Sequence, residues 1–152
     1  MKEKIHEQIT GELKETTRTD TLVVITAILL NLLILGINSG VAAAIRRYEW
    51  TEAEGNVYVG INTNMILIML ILIALVIVIN VVVVRVLSRA KERRAKLTAG
   101  LLKMYQEEGM AQYYDPSIEK GYEARYNLFS VVVVSLGVVA ILVPLVVSLT
   151  RW

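Results

Sequence analysis

The chain has 152 residues, of which 55% are hydrophobic and 20% are charged, whereas an ordinary soluble domain is about 45–50% apolar and about 25% charged. The net charge of +2 is too small to indicate a nucleic-acid partner by itself, and the absence of cysteine excludes disulfides, thiolate chemistry and cysteine-ligated metals. The charged residues lie in the gaps between long apolar runs, which indicates an integral membrane protein.

Three runs, 21–45, 55–84 and 126–150, contain no charged residue. Each exceeds the roughly 20 apolar residues that a helix needs to cross about 30 Å of hydrocarbon. We therefore predict an all-α integral membrane protein with three transmembrane helices, over 21–45, 64–84 and 126–150. Residues 151–152 would form a short external tail. The first run is longer than the usual signal-peptide core of about 7–15 residues, so we expect it to be retained as a span.

Residues 1–20 have Ile5, Ile9 and Leu13 at intervals of four, with charged side chains between them. This spacing predicts a short, cytoplasmic amphipathic helix before the first span. Asp20 precedes the apolar run, so its carboxylate is a candidate N-cap for the first transmembrane helix.

The first span carries two kinds of residue that favour contact with other helices. Gly36, Gly40 and Ala44 form a row of small residues at intervals of four, a pattern that lets two membrane helices approach closely. Asn31 and Asn38 lie seven apart, on another face of the same helix. Two interpretations of the asparagines stay open: an interhelical hydrogen bond, worth about 0.6 kcal/mol on average, or the polar lining of a pore.

The loop over 46–63 and the tail hold few basic residues. Thirteen of the 16 Lys and Arg residues lie in 1–20 and 85–125. Because positively charged loops stay on the cytoplasmic side, we expect the N-terminus in the cytoplasm and the C-terminus outside, in a cell (plasma) membrane. Three carboxylates in the external loop, Glu49, Glu52 and Glu54, would lie at the mouth of a pore if there is one.

The segment 85–125 is predicted to continue the second span as a cytoplasmic helix. No proline interrupts it from Asn64 to Glu108, and Gly109 is a plausible C-cap. Asp115 and Pro116 are typical of a following helix start. Six basic residues next to the membrane are predicted to contact anionic lipid, at about 1 kcal/mol per charge: Arg85, Arg89, Lys91, Arg93, Arg94 and Lys96. No aromatic residue lies within 85–96 to stack on bases, so we expect no nucleic acid.

The third span has a second packing face of small residues, Gly137, Ala140 and Ser148. Together with the row in the first span, it predicts a homo-oligomer or association with other membrane subunits, in addition to contact with membrane lipids.

The sequence lacks recognisable catalytic chemistry. The spans contain no ionisable group, the only histidine is His6, and there is no glycine-rich phosphate loop. We therefore expect no catalytic residue, metal or cofactor. The first functional hypothesis is a non-enzymatic scaffold or accessory subunit that assembles in the membrane. The alternatives are a homo-oligomeric pore lined by Asn31 and Asn38, and an anionic-lipid sensor.

Overall fold

The computed structural model describes residues 2–45, 47–51, 57–110, 112, 115 and 117–150. In these parts of the chain, the elements follow one another in the order α1 (Lys2–Ala44), β1 (Arg47–Thr51), β2 (Val57–Ile61), α2 (Thr63–Glu107) and α3 (Ser117–Leu149). All three helices are long and apolar enough to cross a membrane by length and composition. The predicted fold class, a helical chain with three candidate transmembrane helices, is confirmed.

Helix α1 passes through the predicted boundary between the N-terminal segment and the first span without a break. Asp20 lies inside this helix, so the prediction that it caps a separate transmembrane helix is wrong. No proline separates 2–20 from 21–44, and the hydroxyl of Thr21 donates to the carbonyl of Thr17 at 2.8 Å within the helix. The charged N-terminal segment and the apolar run therefore form one element.

Helix α2 ends where the sequence predicts. Gly109 has φ 71°, which lies in the left-handed region, where a residue with a side chain would be strained. The N–H of Met110 donates to the carbonyl of Tyr105 at 2.9 Å, and the N–H of Gly109 donates to the carbonyl of Gln106 at 3.2 Å. These two hydrogen bonds form a Schellman motif, which satisfies carbonyls left open at the helix end. Helix α2 is therefore continuous and ends at a glycine C-cap, and the cytoplasmic location of its second half stays a prediction.

Helix α3 starts at the predicted acidic cap. The backbone N–H of Ser117 donates to Oδ1 of Asp115 at 2.8 Å. This hydrogen bond stabilises the charged carboxylate and lowers the pKa of Asp115 from its usual value. The predicted first helical residue, Pro116, lies outside the described residues. The helix continues through Pro144, whose side chain is fully buried.

The predicted external loop contains a hairpin that the sequence analysis did not anticipate. Strands β1 and β2 are antiparallel, with Arg47 opposite Ile61 and Thr51 opposite Val57. The valines and aromatic residues of these two segments favour a strand, because they fit a pleated surface. Glu49 lies in β1, whereas Glu52, Glu54 and the tail 151–152 lie outside the described residues.

The chain divides into two compact units, and the division passes through all three helices. Unit 1 comprises Met1–Thr26 and Val82–Val133, and unit 2 comprises Ala27–Val81 and Val134–Trp152. The core of unit 2 is formed by Ile34, Val76 and Ala140, one residue from each helix, with partly buried apolar side chains packed around them.

Buried positions in unit 2 recur every seven residues on two helices. The pairs are Ala27 and Ile34, Asn31 and Asn38, and Met69 and Val76. A seven-residue repeat of inward positions is typical of helices that pack as in a left-handed coiled coil. The asparagines share this repeat with apolar residues, which places their amides in the interior of unit 2.

Candidate functional site

Unit 1 buries a polar side chain from each of its three helices: Asp20 of α1, Arg94 of α2 and Tyr126 of α3. The hydroxyl of Tyr126 donates to Oδ2 of Asp20. Nη1 of Arg94 donates to the hydroxyl of Thr17 at 2.6 Å. Buried polar groups need such partners because desolvation is otherwise unfavourable. These contacts connect α1 to both other helices of the unit.

Arg94 is only partly satisfied by these contacts. Its guanidinium lies 3.5 Å above the centre of the Tyr122 ring, and the residue is 9% exposed. Its Nε is buried and has no hydrogen-bond partner among the described residues. A buried cation with an unpaired N–H donor is costly in the absence of a compensating group. Arg94 therefore has an unfilled donor in the interior of the unit.

Arg94 lines a cavity of about 830 Å³ between the three helices of unit 1. Part of its wall is apolar, formed by Leu13, Leu22 and Leu101, and part carries threonine and tyrosine hydroxyls. Five charged side chains also line the cavity: Lys14, Arg18, Lys91, Arg94 and Glu123. Four cations face one carboxylate, so the cavity suits an anionic ligand.

Glu123 compensates one of the four cations. Its Oε1 lies 2.7 Å from Nζ of Lys91, which also donates to Oδ1 of Asn127 at 3.4 Å. Lys14 and Arg18 form no ion pair with any described carboxylate. They lie four residues apart on α1, and therefore on one face of that helix.

Three of the four threonine hydroxyls that line the cavity already donate their single O–H. Thr10, Thr17 and Thr21 donate to the backbone carbonyls of His6, Leu13 and Thr17, at 2.9, 2.7 and 2.8 Å. A hydroxyl has only one O–H, so these groups are left to accept. Thr17 accepts from Arg94 and Thr21 accepts from Arg125 at 2.8 Å. The spare donors in the cavity are therefore mainly the N–H groups of lysine and arginine.

The six basic residues predicted to contact lipid separate into two groups. At about 100° per residue, four of them share one exposed face of α2, and we call them the basic stripe: Arg85, Arg89, Arg93 and Lys96. Within the stripe, Arg93 pairs with Glu12 of α1. Lys91 and Arg94 lie on the other side, where they line the cavity.

The sequence analysis missed the burial of Arg94 and the contribution of α1 to the cavity. A signal for the first was present: Leu87, Arg94 and Leu101 are seven residues apart and all buried. Lys14 and Arg18 were used in the sequence-based prediction only through the charge asymmetry, Tyr122 was predicted only as an interfacial anchor before the third span, and Glu123 had no predicted role. These side chains come together because three helices pack against one another. The spacing of residues within one helix does not predict that packing.

Asn31 forms an interhelical hydrogen bond in unit 2. Nδ2 of Asn80 donates to Oδ1 of Asn31 at 2.9 Å, and Nδ2 of Asn31 donates to the carbonyl of Ala27 at 3.0 Å. The Asn80 side chain packs so closely on Gly137 that a Cβ there would lie 2.6 Å from it. This geometry corresponds to the hydrogen-bonding interpretation of Asn31. The pore stays a prediction.

Asn38 differs from Asn31 although it occupies the next equivalent position of the repeat. Its side chain is fully buried, and neither amide atom has a partner among the described residues. Such a group carries a desolvation cost that no hydrogen bond in the described structure offsets.

The two small-residue faces have different surroundings. Gly137 and Ala140 are buried within unit 2, and Ser148 is half-buried, donating to the carbonyl of Leu145 at 2.8 Å. Gly36, Gly40 and Ala44 are exposed, and a Cβ on either glycine would meet no atom within 4 Å. Assembly through the exposed row stays a prediction.

Comparisons of the chain with models of protein families, with curated proteins and with solved structures found no match.

Proposed function

We propose that this chain is a non-enzymatic integral membrane protein that binds anionic lipid headgroups in the cavity of unit 1. The observation that carries the proposal is the lining of this cavity, where three cations, Lys14, Arg18 and Arg94, form no ion pair with a described carboxylate. An anion would compensate these cations through charge-assisted hydrogen bonds, which are about twice as strong as neutral ones.

The position of the cavity supports a ligand from the membrane. Thr21 and Leu22 line it, and they begin the first apolar run. Tyr126 also lines it and begins the third apolar run. A lipid could therefore place its headgroup among the cations while its chains stay in the hydrocarbon. The apolar part of the wall is suited to the start of such chains.

The basic stripe supports the same function in a less specific way. Exposed Lys and Arg next to a bilayer attract anionic lipids at about 1 kcal/mol per charge. Arg85, Arg89 and Lys96 would raise the local concentration of these lipids, and the cavity would hold one of them.

The orientation that accompanies this proposal has the N-terminus and residues 85–125 in the cytoplasm. It rests on the asymmetry of Lys and Arg. The chain has no cysteine, so single cysteines report without background. A membrane-impermeant maleimide should label Thr150→Cys in intact cells, and should label Glu3→Cys only after permeabilisation. Equal labelling of both in intact cells would contradict the orientation.

Lipid binding is tested with two arginines of the same helix. The purified full-length protein in detergent is titrated with phosphatidylglycerol, and bound lipid is measured by native mass spectrometry. Arg94→Gln should weaken binding by at least about fivefold, the effect of one cation near the ligand. Arg89→Gln removes the same charge from the basic stripe, and should change binding much less.

Arg94 is buried, so its variant also needs a check on folding. Helical circular dichroism and the thermal midpoint of each variant are compared with those of the unmodified protein. Arg18→Gln is the second variant, because Arg18 lines the cavity and its side chain is exposed. Equal binding by the Arg18→Gln, Arg89→Gln and unmodified proteins would contradict the proposal. The scaffold and pore hypotheses stay predictions and have their own tests below.

A further inference from the structure

The charge of the cavity indicates what kind of anion it would hold. Four cations and one carboxylate line it, and the carboxylate of Glu123 is committed to Lys91 at 2.7 Å. Three cations therefore remain without a described carboxylate partner: Lys14, Arg18 and Arg94. The buried carboxylate of Asp20 lies close to Arg94, since both contact the hydroxyl of Tyr126. Lys14 and Arg18 therefore leave a charge of about +2, which a ligand with two negative charges would balance better than one with a single charge.

The hydrogen-bonding capacity of the cavity points the same way. Three of the threonine hydroxyls that line it donate to backbone carbonyls, so the N–H groups of the three cations are the main donors left. Lysine has three such donors and arginine five. Arg94 uses one on Thr17 and another on the hydroxyl of Tyr126, and its Nε is buried, so Lys14 and Arg18 supply most of the free donors. A phosphodiester offers two unesterified oxygens and one charge. A phosphomonoester offers three oxygens and a charge of about −1.5 to −2 at neutral pH.

We infer that the cavity of unit 1 selects a phosphomonoester over a phosphodiester, through Lys14, Arg18 and Arg94. This inference rests on the proposed function, since it specifies the ligand of the same site. The phosphomonoester group could belong to a lipid or to a soluble molecule. The apolar wall formed by Leu13, Leu22 and Leu101 favours the lipid.

The test compares three lipids with identical acyl chains on the full-length protein in detergent. Phosphatidic acid presents a monoester, phosphatidylglycerol an anionic diester, and phosphatidylcholine a diester without net charge. Phosphatidic acid should bind about two- to fivefold more tightly than phosphatidylglycerol, the ratio expected from about half to one further negative charge at about 1 kcal/mol per charge. Soluble glycerol 3-phosphate is added as a competitor in a separate titration.

Two double variants separate the cavity from the basic stripe. Lys14→Gln with Arg18→Gln removes two cations that lie four residues apart and line the cavity. Arg85→Gln with Arg89→Gln removes two cations with the same spacing, both exposed and outside the cavity lining. The first variant should lose the preference for phosphatidic acid, and the second should keep it. Glu123→Gln frees Lys91 and should strengthen binding of phosphatidic acid.

The outcomes distinguish the two proposals. Equal affinities for phosphatidic acid and phosphatidylglycerol, both above phosphatidylcholine, would overturn the phosphomonoester inference and leave the proposed function standing. Equal affinities for all three lipids would overturn the proposed function. Displacement of phosphatidic acid by glycerol 3-phosphate at a similar concentration would support a soluble phosphomonoester, and failure to displace it would support the lipid.

Discussion

The two small-residue faces of unit 2 look alike in the sequence and differ in the structure. Gly137 of α3 is closed by the side chain of Asn80, whereas Gly36 and Gly40 of α1 have open space in front of them. A small residue at helical spacing predicts that something can approach closely. It does not say whether that neighbour belongs to the same chain. The packing of unit 2 therefore needs a glycine at position 137. Gly36 and Gly40 are not needed for any contact within the described structure.

The largest loss of stability should come from adding a side chain at Gly137. Gly137→Ala places a Cβ 2.6 Å from the Asn80 side chain. We expect the unfolding free energy in detergent to fall by about 1–3 kcal/mol, the usual effect of overpacking. Gly36→Ala is the matched control, and it should be neutral or slightly stabilising because alanine favours a helix. The measurement is the thermal or denaturant midpoint.

A double variant shows whether the clash is the cause. In the Asn80→Ala background, Gly137→Ala should lower the unfolding free energy far less, because the atoms that its Cβ would contact are absent. If Gly137→Ala costs as much in that background, close packing against Asn80 is not the reason for the glycine.

A smaller effect should distinguish the two asparagines of α1. Asn31→Leu leaves Asn80 without its partner at 2.9 Å, so we expect a loss of about 1–2 kcal/mol in unfolding free energy. Asn38→Leu removes an amide that has no described partner, and should be neutral or stabilising. The same two variants test the pore hypothesis. Ion flux through the protein in liposomes that both variants reduce would favour a pore, and unchanged flux would oppose one.

The smallest effect on stability should come from a substitution in the exposed row of small residues, Gly36, Gly40 and Ala44. A Cβ at position 40 would meet no atom within 4 Å, so we expect Gly40→Leu to change the unfolding free energy of the monomer by less than about 0.5 kcal/mol. If the row is an assembly face, the same variant should reduce the mass of the detergent-solubilised particle, measured by light scattering. Unchanged mass would show that this face is not the interface.

The sequence predicts the features that depend on local signals. The uncharged runs predict the three helices, Gly109 predicts the end of α2, and Asp115 predicts the start of α3. These predictions succeed because span length and caps are properties of neighbouring residues. The start of α1 was predicted wrongly at Asp20, since a polar residue before an apolar run is typical of a cap but is also tolerated inside a helix.

The candidate site depends on contacts between distant segments, and the sequence shows it only in part. It predicts one basic cluster that contains Lys91 and Arg94 together with the stripe. Helical spacing divides this cluster into two faces, but the spacing does not say which face of α2 packs against α1 and α3. The hairpin was missed for a different reason: its strand-forming residues lie in a short gap between spans that reads as a loop.

Two basic residues of α2, Lys91 and Arg93, have a consequence for the handedness of unit 1. Arg93 pairs with Glu12 of α1, whereas Lys91, about 200° away around the helix axis, pairs with Glu123 of α3. Three helices that follow one another along the chain can be arranged clockwise or anticlockwise, and a purely apolar interior discriminates poorly between the two. In the mirror arrangement each of these cations would face away from its carboxylate. Ion pairs that add little to the free energy of folding therefore favour one chirality of the unit over its alternative.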